Sequence, residues 1–111
     1  MEKDTYTATP QLSSKQIKYL RGLGHKLSPL VLIGKEGMST QLLETVDTEL
    51  SNHELLKVKI GSNSSVDKNE AALRIPEATA SALVHFIGKT LLLYRPNPDK
   101  PRDKRLHIPK I

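Results

Sequence analysis

The chain has 111 residues, enough for one domain with a modest core. Lys and Arg total 17 against 12 Asp and Glu, giving a net charge of +5 and a pI near 9.6, a balance that favours a polyanionic partner. The absence of cysteine excludes a disulfide framework, a thiolate nucleophile and a cysteine-based zinc site.

Residues 1–11 read as a flexible polar tail, without the apolar stretch of a signal peptide. No segment approaches the roughly 20 apolar residues needed to span a membrane. The expectation is therefore a cytoplasmic protein with no membrane partner. Ser13 is a good helix N-cap, and Gln16 is placed to complete a capping box. The spacing predicts a first helix running to about residue 27. Ile17, Leu20, Leu23, Gly24 and Leu27 fall on its apolar arc, and Lys15, Lys18, Arg21, His25 and Lys26 on the other. Gly22 sits among the basic residues. A glycine inside a helix costs about 1 kcal/mol relative to alanine. Close approach of another backbone would explain it, and so would plain tolerance.

Pro29 ends this helix and opens an apolar strand over 30–33. The loop Gly34-Lys35-Glu36-Gly37 follows, then Ser39 as N-cap of a second helix with Leu42, Leu43, Val46 and Leu50 on its apolar face. Residues 55–60 alternate, with Leu56, Val58 and Ile60 facing one way and Lys57 and Lys59 the other, as in a half-buried strand. A third helix is expected from about 66, carrying Ala71, Ala72 and Ile75 and kinked or ended by Pro76. Strands over 83–87 and 90–95 flank Gly88-Lys89, which suits a two-residue hairpin of type II′. The run Leu91-Leu92-Leu93 suggests a strand covered on both faces. From Pro96 the chain is basic and proline-rich, and residues 97–111 read as an extended, mobile tail in which Leu106-His107-Ile108 could dock on a sheet edge. The order α-β-α-β-α-β-β predicts one α/β domain, 12–96, with helices packed on a four-stranded mixed sheet.

Charge is segregated along this order. Segment 12–37 holds five basic residues and one acidic, whereas 38–54 holds four acidic residues and no Lys or Arg. A Gly-x-x-Gly turn between strand and helix is often only a turn. Here the basic helix face lies upstream, and the following helix aims its N-terminus at the loop, where an anion is favoured. KH-type modules clamp a nucleic-acid backbone with a loop of this form. Gly34 and Gly37 would allow close approach and Lys35 would add charge, while Glu36 must point away. The bland alternatives are a solvated basic face on the first helix and ordinary outward lysines at 57 and 59. Lys26, Lys57, Lys59, Lys89 and Arg95 are candidates to extend the surface.

Other chemistry finds little support. Gly88-Lys89-Thr90 mimics the end of a P-loop, but Leu83 stands where the first glycine is needed and the turn joins two strands. The histidines His25, His53, His85 and His107 are dispersed, with no metal-ligand spacing. His85, in an apolar strand, reads as a packed residue. No nucleophile elbow or carboxylate–histidine pair occurs, so no enzyme, cofactor or small-molecule substrate is expected. Few aromatics argue against a base-stacking sheet of the RRM type.

Several blocks together resemble a known family. The residues 12–16 (LSSKQ), 19–23 (YLRGL), the 33–37 loop, 53–59 (HELLKVK) and 87–96 (IGKTLLLYRP) are similar to the CRM domain (chloroplast RNA splicing and ribosome maturation), in its stand-alone bacterial YhbY-like form. The resemblance implies a fold similar to the C-terminal domain of translation initiation factor 3, a KH-like Gly-x-x-Gly loop, RNA binding, and association with large-subunit ribosomal precursors. It carries the RNA-binding role to Gly34, Lys35, Glu36 and Gly37 and to Lys15, Lys18 and Arg21. The sequence departs from the family at Pro76 and Ala80, where a helix and then a Thr-Gly turn are usual. Thr79 is kept and the glycine is not. The alternative is a protein-interaction module that uses the acidic second helix.

Overall fold

Reciprocal capping starts the first helix, α1 (Ser14–Gly24), in a computed structural model that describes residues 9–109. Most of the expected N-terminal tail and Lys110 lie outside those residues. The Ser13 hydroxyl accepts the Gln16 N–H at 3.1 Å, and the Ser13 N–H donates to Gln16 Oε1 at 3.0 Å. Two N–H groups that a helix start leaves orphaned are thereby satisfied. The helix stops at Gly24 rather than near residue 27. The His25 and Leu27 N–H groups bond back to Arg21 and Gly24, and the Leu27 carbonyl then accepts Lys57 Nζ at 2.9 Å. Leu27 is consequently exposed rather than part of the apolar arc.

The remaining helices are also capped by side chains. Ser39 Oγ accepts the Leu42 N–H at 3.1 Å to open α2 (Thr40–His53), as expected. Asp67 caps α3 (Lys68–Thr79), which therefore begins after Val66. Of the kink or end expected at Pro76, the end is not found: Pro76 lies inside α3. The last turn closes with local bonds: the Ala80 and Ser81 N–H groups donate to the Pro76 carbonyl, and Thr79 Oγ1 donates to the Ile75 carbonyl at 2.7 Å. Ala80 takes the left-handed conformation (φ 54°) in which glycine would be unstrained.

The strands β1 (Val31–Ile33), β2 (Leu55–Ile60), β3 (Ala82–Ile87) and β4 (Thr90–Tyr94) form one sheet in the order β1-β2-β4-β3. The pair β1/β2 is parallel and the others antiparallel, so the sheet is mixed as expected. At the β3–β4 hairpin Gly88 has φ +59°, while Lys89 stays out of the left-handed region, the pattern of a type II′ turn. A register shift between Leu83 and His85 marks a bulge in β3.

Each sheet face has its own core. Val31, Ile33, Leu56, Val58, Ile60, Leu91 and Leu93 pack against Val46 and Leu50 of α2 and Ala71 and Ile75 of α3. On the opposite face Leu55, Val84, Leu92 and Tyr94 pack against Leu20 of α1. The three leucines of β4 are thus split between two cores, which explains their unbroken run.

The segment after β4 is built into the second core. Glu54, 1 % exposed, accepts the Asn97 N–H at 2.8 Å and the Leu106 N–H at 2.7 Å. Gln16 Nε2 donates to the Pro109 carbonyl at 3.0 Å. Leu106 and Ile108 then pack with Leu12, Ile17 and Leu23 on the α1 side, on a sheet face and not on an edge. Burial and the nearby Glu54 carboxylate push the Tyr94 hydroxyl up to about 12.

Candidate nucleic-acid interface

The Gly-x-x-Gly loop is a closed turn. The Gly37 N–H donates to the Gly34 carbonyl at 3.0 Å, and Gly37 has φ +71°, a conformation that side chains rarely adopt. A Cβ on Gly34 would meet nothing within 4 Å, so its bare backbone faces open space. Lys35 and Glu36 are exposed at the tip. The first turn of α2 carries no acidic residue to offset the positive end of the helix dipole, although Glu36 lies in the loop before it. A shallow depression of about 470 Å³ runs from Leu30 and Leu32 past the loop to Gln41 and Thr45.

Pairing gathers further groups at this end of the sheet. The Gly61 N–H donates to the Ile33 carbonyl at 2.9 Å, and the Ile60 N–H to the Lys89 carbonyl at 2.8 Å. The loop after β1, the turn after β2 and the Gly88-Lys89 hairpin therefore lie side by side. Lys89 joins Lys35 on one rim, although 53 residues of chain lie between them.

The α1 side of the sheet is only partly covered. Register places Leu32, Lys59, Thr90 and Ile87 in one row across the four strands and Lys57, Leu92 and His85 in the next. Gly24 of α1 lies against Leu92: a Cβ there would sit 2.5 Å from Leu92 Cδ2. Beyond that contact Leu32 and Ile87 are 62 % and 65 % exposed. A cleft of about 890 Å³ opens between α1 and the β3–β4 strands, with Lys18, Arg21, His25, Lys57 and His85 around it and no acidic residue in its lining. Burial first, and then the charges of Arg21 and Lys57, hold the His85 imidazole below its usual 6.5.

Among the expected site residues, Lys18 and Arg21 line the cleft, whereas exposed Lys15 and Lys26 lie outside its lining. The loop residues 34–37 form a separate depression. Lys57 and Lys59 bridge the two, because Lys57 borders the cleft and Lys59 is paired with Leu32, next to the loop. Arg95 is a correction. Its guanidinium donates to Asp47 Oδ1 at 2.6 Å, to the Thr79 carbonyl at 2.8 Å and to Ser51 Oγ at 2.9 Å. It ties α2 to the end of α3, away from the basic side. Part of the acidity in and after the second helix is likewise engaged, Asp47 by Arg95, Glu49 by His53 at 3.3 Å and Glu54 by the 97–109 segment, while Glu44 is exposed.

Sequence reasoning missed His85. Strict alternation would turn it toward the α2–α3 core, with Leu83. The bulge lets Val84 and His85 both face α1, because an extra residue re-aims those that follow it. Among the described residues no cluster of His, Cys, Asp or Glu could hold a metal ion, and no helix is long and apolar enough to cross a membrane.

Comparison with known proteins adds an independent line. Residues 12–95 match the CRS1 / YhbY (CRM) domain. An RNA-binding protein of Haemophilus influenzae is 38 % identical over 88 residues, covering 79 % of this chain and 89 % of that protein. The "Probable RNA-binding protein YqeI" of Bacillus subtilis is 32 % identical over 98 residues, covering 88 % of this chain and 99 % of that one. The solution structure of SAV1595, a hypothetical protein of Staphylococcus aureus, superposes with a TM-score of 0.69 at 36 % identity, over 89 % of this chain and 100 % of that chain.

Proposed function

Because the chain belongs to the CRS1 / YhbY (CRM) domain family, we propose that it is a non-catalytic RNA-binding protein that associates in the cytoplasm with precursors of the large ribosomal subunit and assists their assembly. The observation that carries the reading is the acid-free basic cleft, joined through Lys57 and Lys59 to the Gly-x-x-Gly loop. The names of the relatives support RNA as the partner.

The mechanism is positioning. One stretch of RNA backbone meets the loop at Gly34, Lys35 and the α2 N-terminus, the Gly37 N–H being held by the Gly34 carbonyl, and the strand then runs over Lys59 and Lys57 to Arg21 and Lys18. Such phosphate contacts hold RNA in place without reading its sequence. For single-stranded RNA each contributes about 0.7 to the slope of log affinity against log salt. Crosslinking in cells followed by sequencing of the bound RNA tests the assembly role. Reads concentrated in large-subunit precursor RNA are expected, and reads spread evenly over cellular RNA would overturn it.

A further inference from the structure

We infer that the cleft between α1 and the β3–β4 strands receives a single unpaired RNA nucleotide, and that Gly22 keeps its wall open. This rests on the RNA-binding reading and deepens it, from phosphate contacts to a pocket for a base.

Gly22 is the first observation. It lies inside α1, exposed, on the wall of the cleft. A Cβ there would meet nothing within 4 Å, and Gly22 is not among the glycines with positive φ. Neither close packing nor backbone conformation calls for glycine, although glycine is among the worst residues for a helix interior. Gly24, two residues on and on the buried side, is the contrast: there the Leu92 side chain occupies the space. What Gly22 provides is open space on the wall of the cleft.

The chemistry of the cleft says what fills it. Ile17, Ile87 and Leu92 give it apolar surface, and the His85 ring and Thr90 hydroxyl add groups able to bond a base edge. Lys18, Arg21 and Lys57 are cationic, with no carboxylate in the lining to oppose them. A bare anion would use the cations and leave the apolar surface wet. An apolar ligand would bury the cations at a cost. A nucleotide satisfies both, with its base on the apolar surface and its phosphate at the cations. At about 890 Å³ the cleft is within the range of small-ligand sites. The occupant must be unpaired, because a base in an A-form duplex is stacked and paired and cannot leave the helix to lie on the cleft's apolar surface.

The test compares binding of a labelled single-stranded oligoribonucleotide with that of the same sequence in a duplex, at several salt concentrations. Gly22→Leu fills the cleft with a good helix former. Ile87→Ser removes exposed apolar surface on which the fold does not depend. Each variant should weaken single-strand binding about tenfold, in the range of losing one base contact, while duplex affinity and salt slope stay as in the wild type. Wild-type single-strand affinity in both variants would overturn the cleft, as would an equal loss on single strand and duplex. Lys35→Ala separates this failure from that of the broader reading. If it weakens binding while both cleft variants do not, only the cleft is wrong. If the wild type binds neither RNA, RNA binding itself fails.

Discussion

The two faces of the four-stranded sheet are built from the same alternating strands, yet they meet different surroundings. Toward α2 and α3, the inward residues of β1, β2 and β4 are all buried. Toward α1, burial reaches Leu55, Leu92 and Tyr94 and then gives way to Lys57, Lys59, Leu32 and Ile87. Two helices seal one face. One short helix and the 97–109 segment cover only part of the other. The lesson is a division of labour along one strand: in β2, alternate residues hold the fold together and leave charge on the less covered face.

The largest expected contrast is in stability. Leu56→Ala, on the sealed face, should cost about 2–5 kcal/mol in urea unfolding. Leu32→Ala, on the open face, should stay within about 0.5 kcal/mol. Equal effects would abolish the distinction between the faces. Next is Glu54→Ala, which leaves two N–H groups without their acceptor and should cost about 3 kcal/mol. Hydrogen exchange should then show lost protection at Asn97 and Leu106. Protection retained there would mean that the segment is held by apolar packing alone.

Binding gives the next tier. Lys59→Ala should lower the salt slope for single-stranded RNA by about 0.7 with stability changed by less than about 0.5 kcal/mol. Arg95→Ala should do the reverse, reducing stability and leaving the slope intact, since its guanidinium binds Asp47, Ser51 and Thr79. A smaller effect is expected at Ala80, where glycine removes left-handed strain of about 1 kcal/mol but adds freedom to the unfolded chain. The net should be a slight rise in melting temperature.

The smallest effect is a pH dependence. His85 is held below 6.5 in the folded chain, so the unfolded chain binds its proton more readily. Its contribution to stability is therefore present above about pH 6.5 and is lost as pH falls through the lowered value. An anion bound in the cleft would offset Arg21 and Lys57 and raise the His85 midpoint. Ring titration by NMR, with and without RNA, reads this directly, and an unmoved midpoint would place the phosphate elsewhere.

Much of this architecture is written locally. Ser13 with Gln16, and Ser39 before α2, announce their helices because a cap is chemistry between residues three apart. Gly88 announces its hairpin because one left-handed residue decides the turn. Local signals also mislead where distant or compensating contacts intervene. Pro76 lacks the N–H that a helix interior uses, yet the helix runs on through it to Thr79 and ends on bonds from Ala80 and Ser81 to the Pro76 carbonyl. Arg95 reads as a surface cation because nothing near it in sequence reveals Asp47, 48 residues away. The 97–109 segment reads as mobile because its anchor, Glu54, lies before β2.

Composition, capping and period by themselves determined the element order, the basic bias of the first third of the chain and the glycine loop, since each depends on residues within a turn or two of one another. Only the tertiary structure decided which of the 17 basic residues share a surface. Register set Lys59 beside Leu32, a bulge turned His85 into the cleft, and layer packing took Arg95 out of it. The reason is geometric. A side chain's direction follows from its neighbours in sequence, but its company follows from which strands pair, and that is settled by the cores on the two faces.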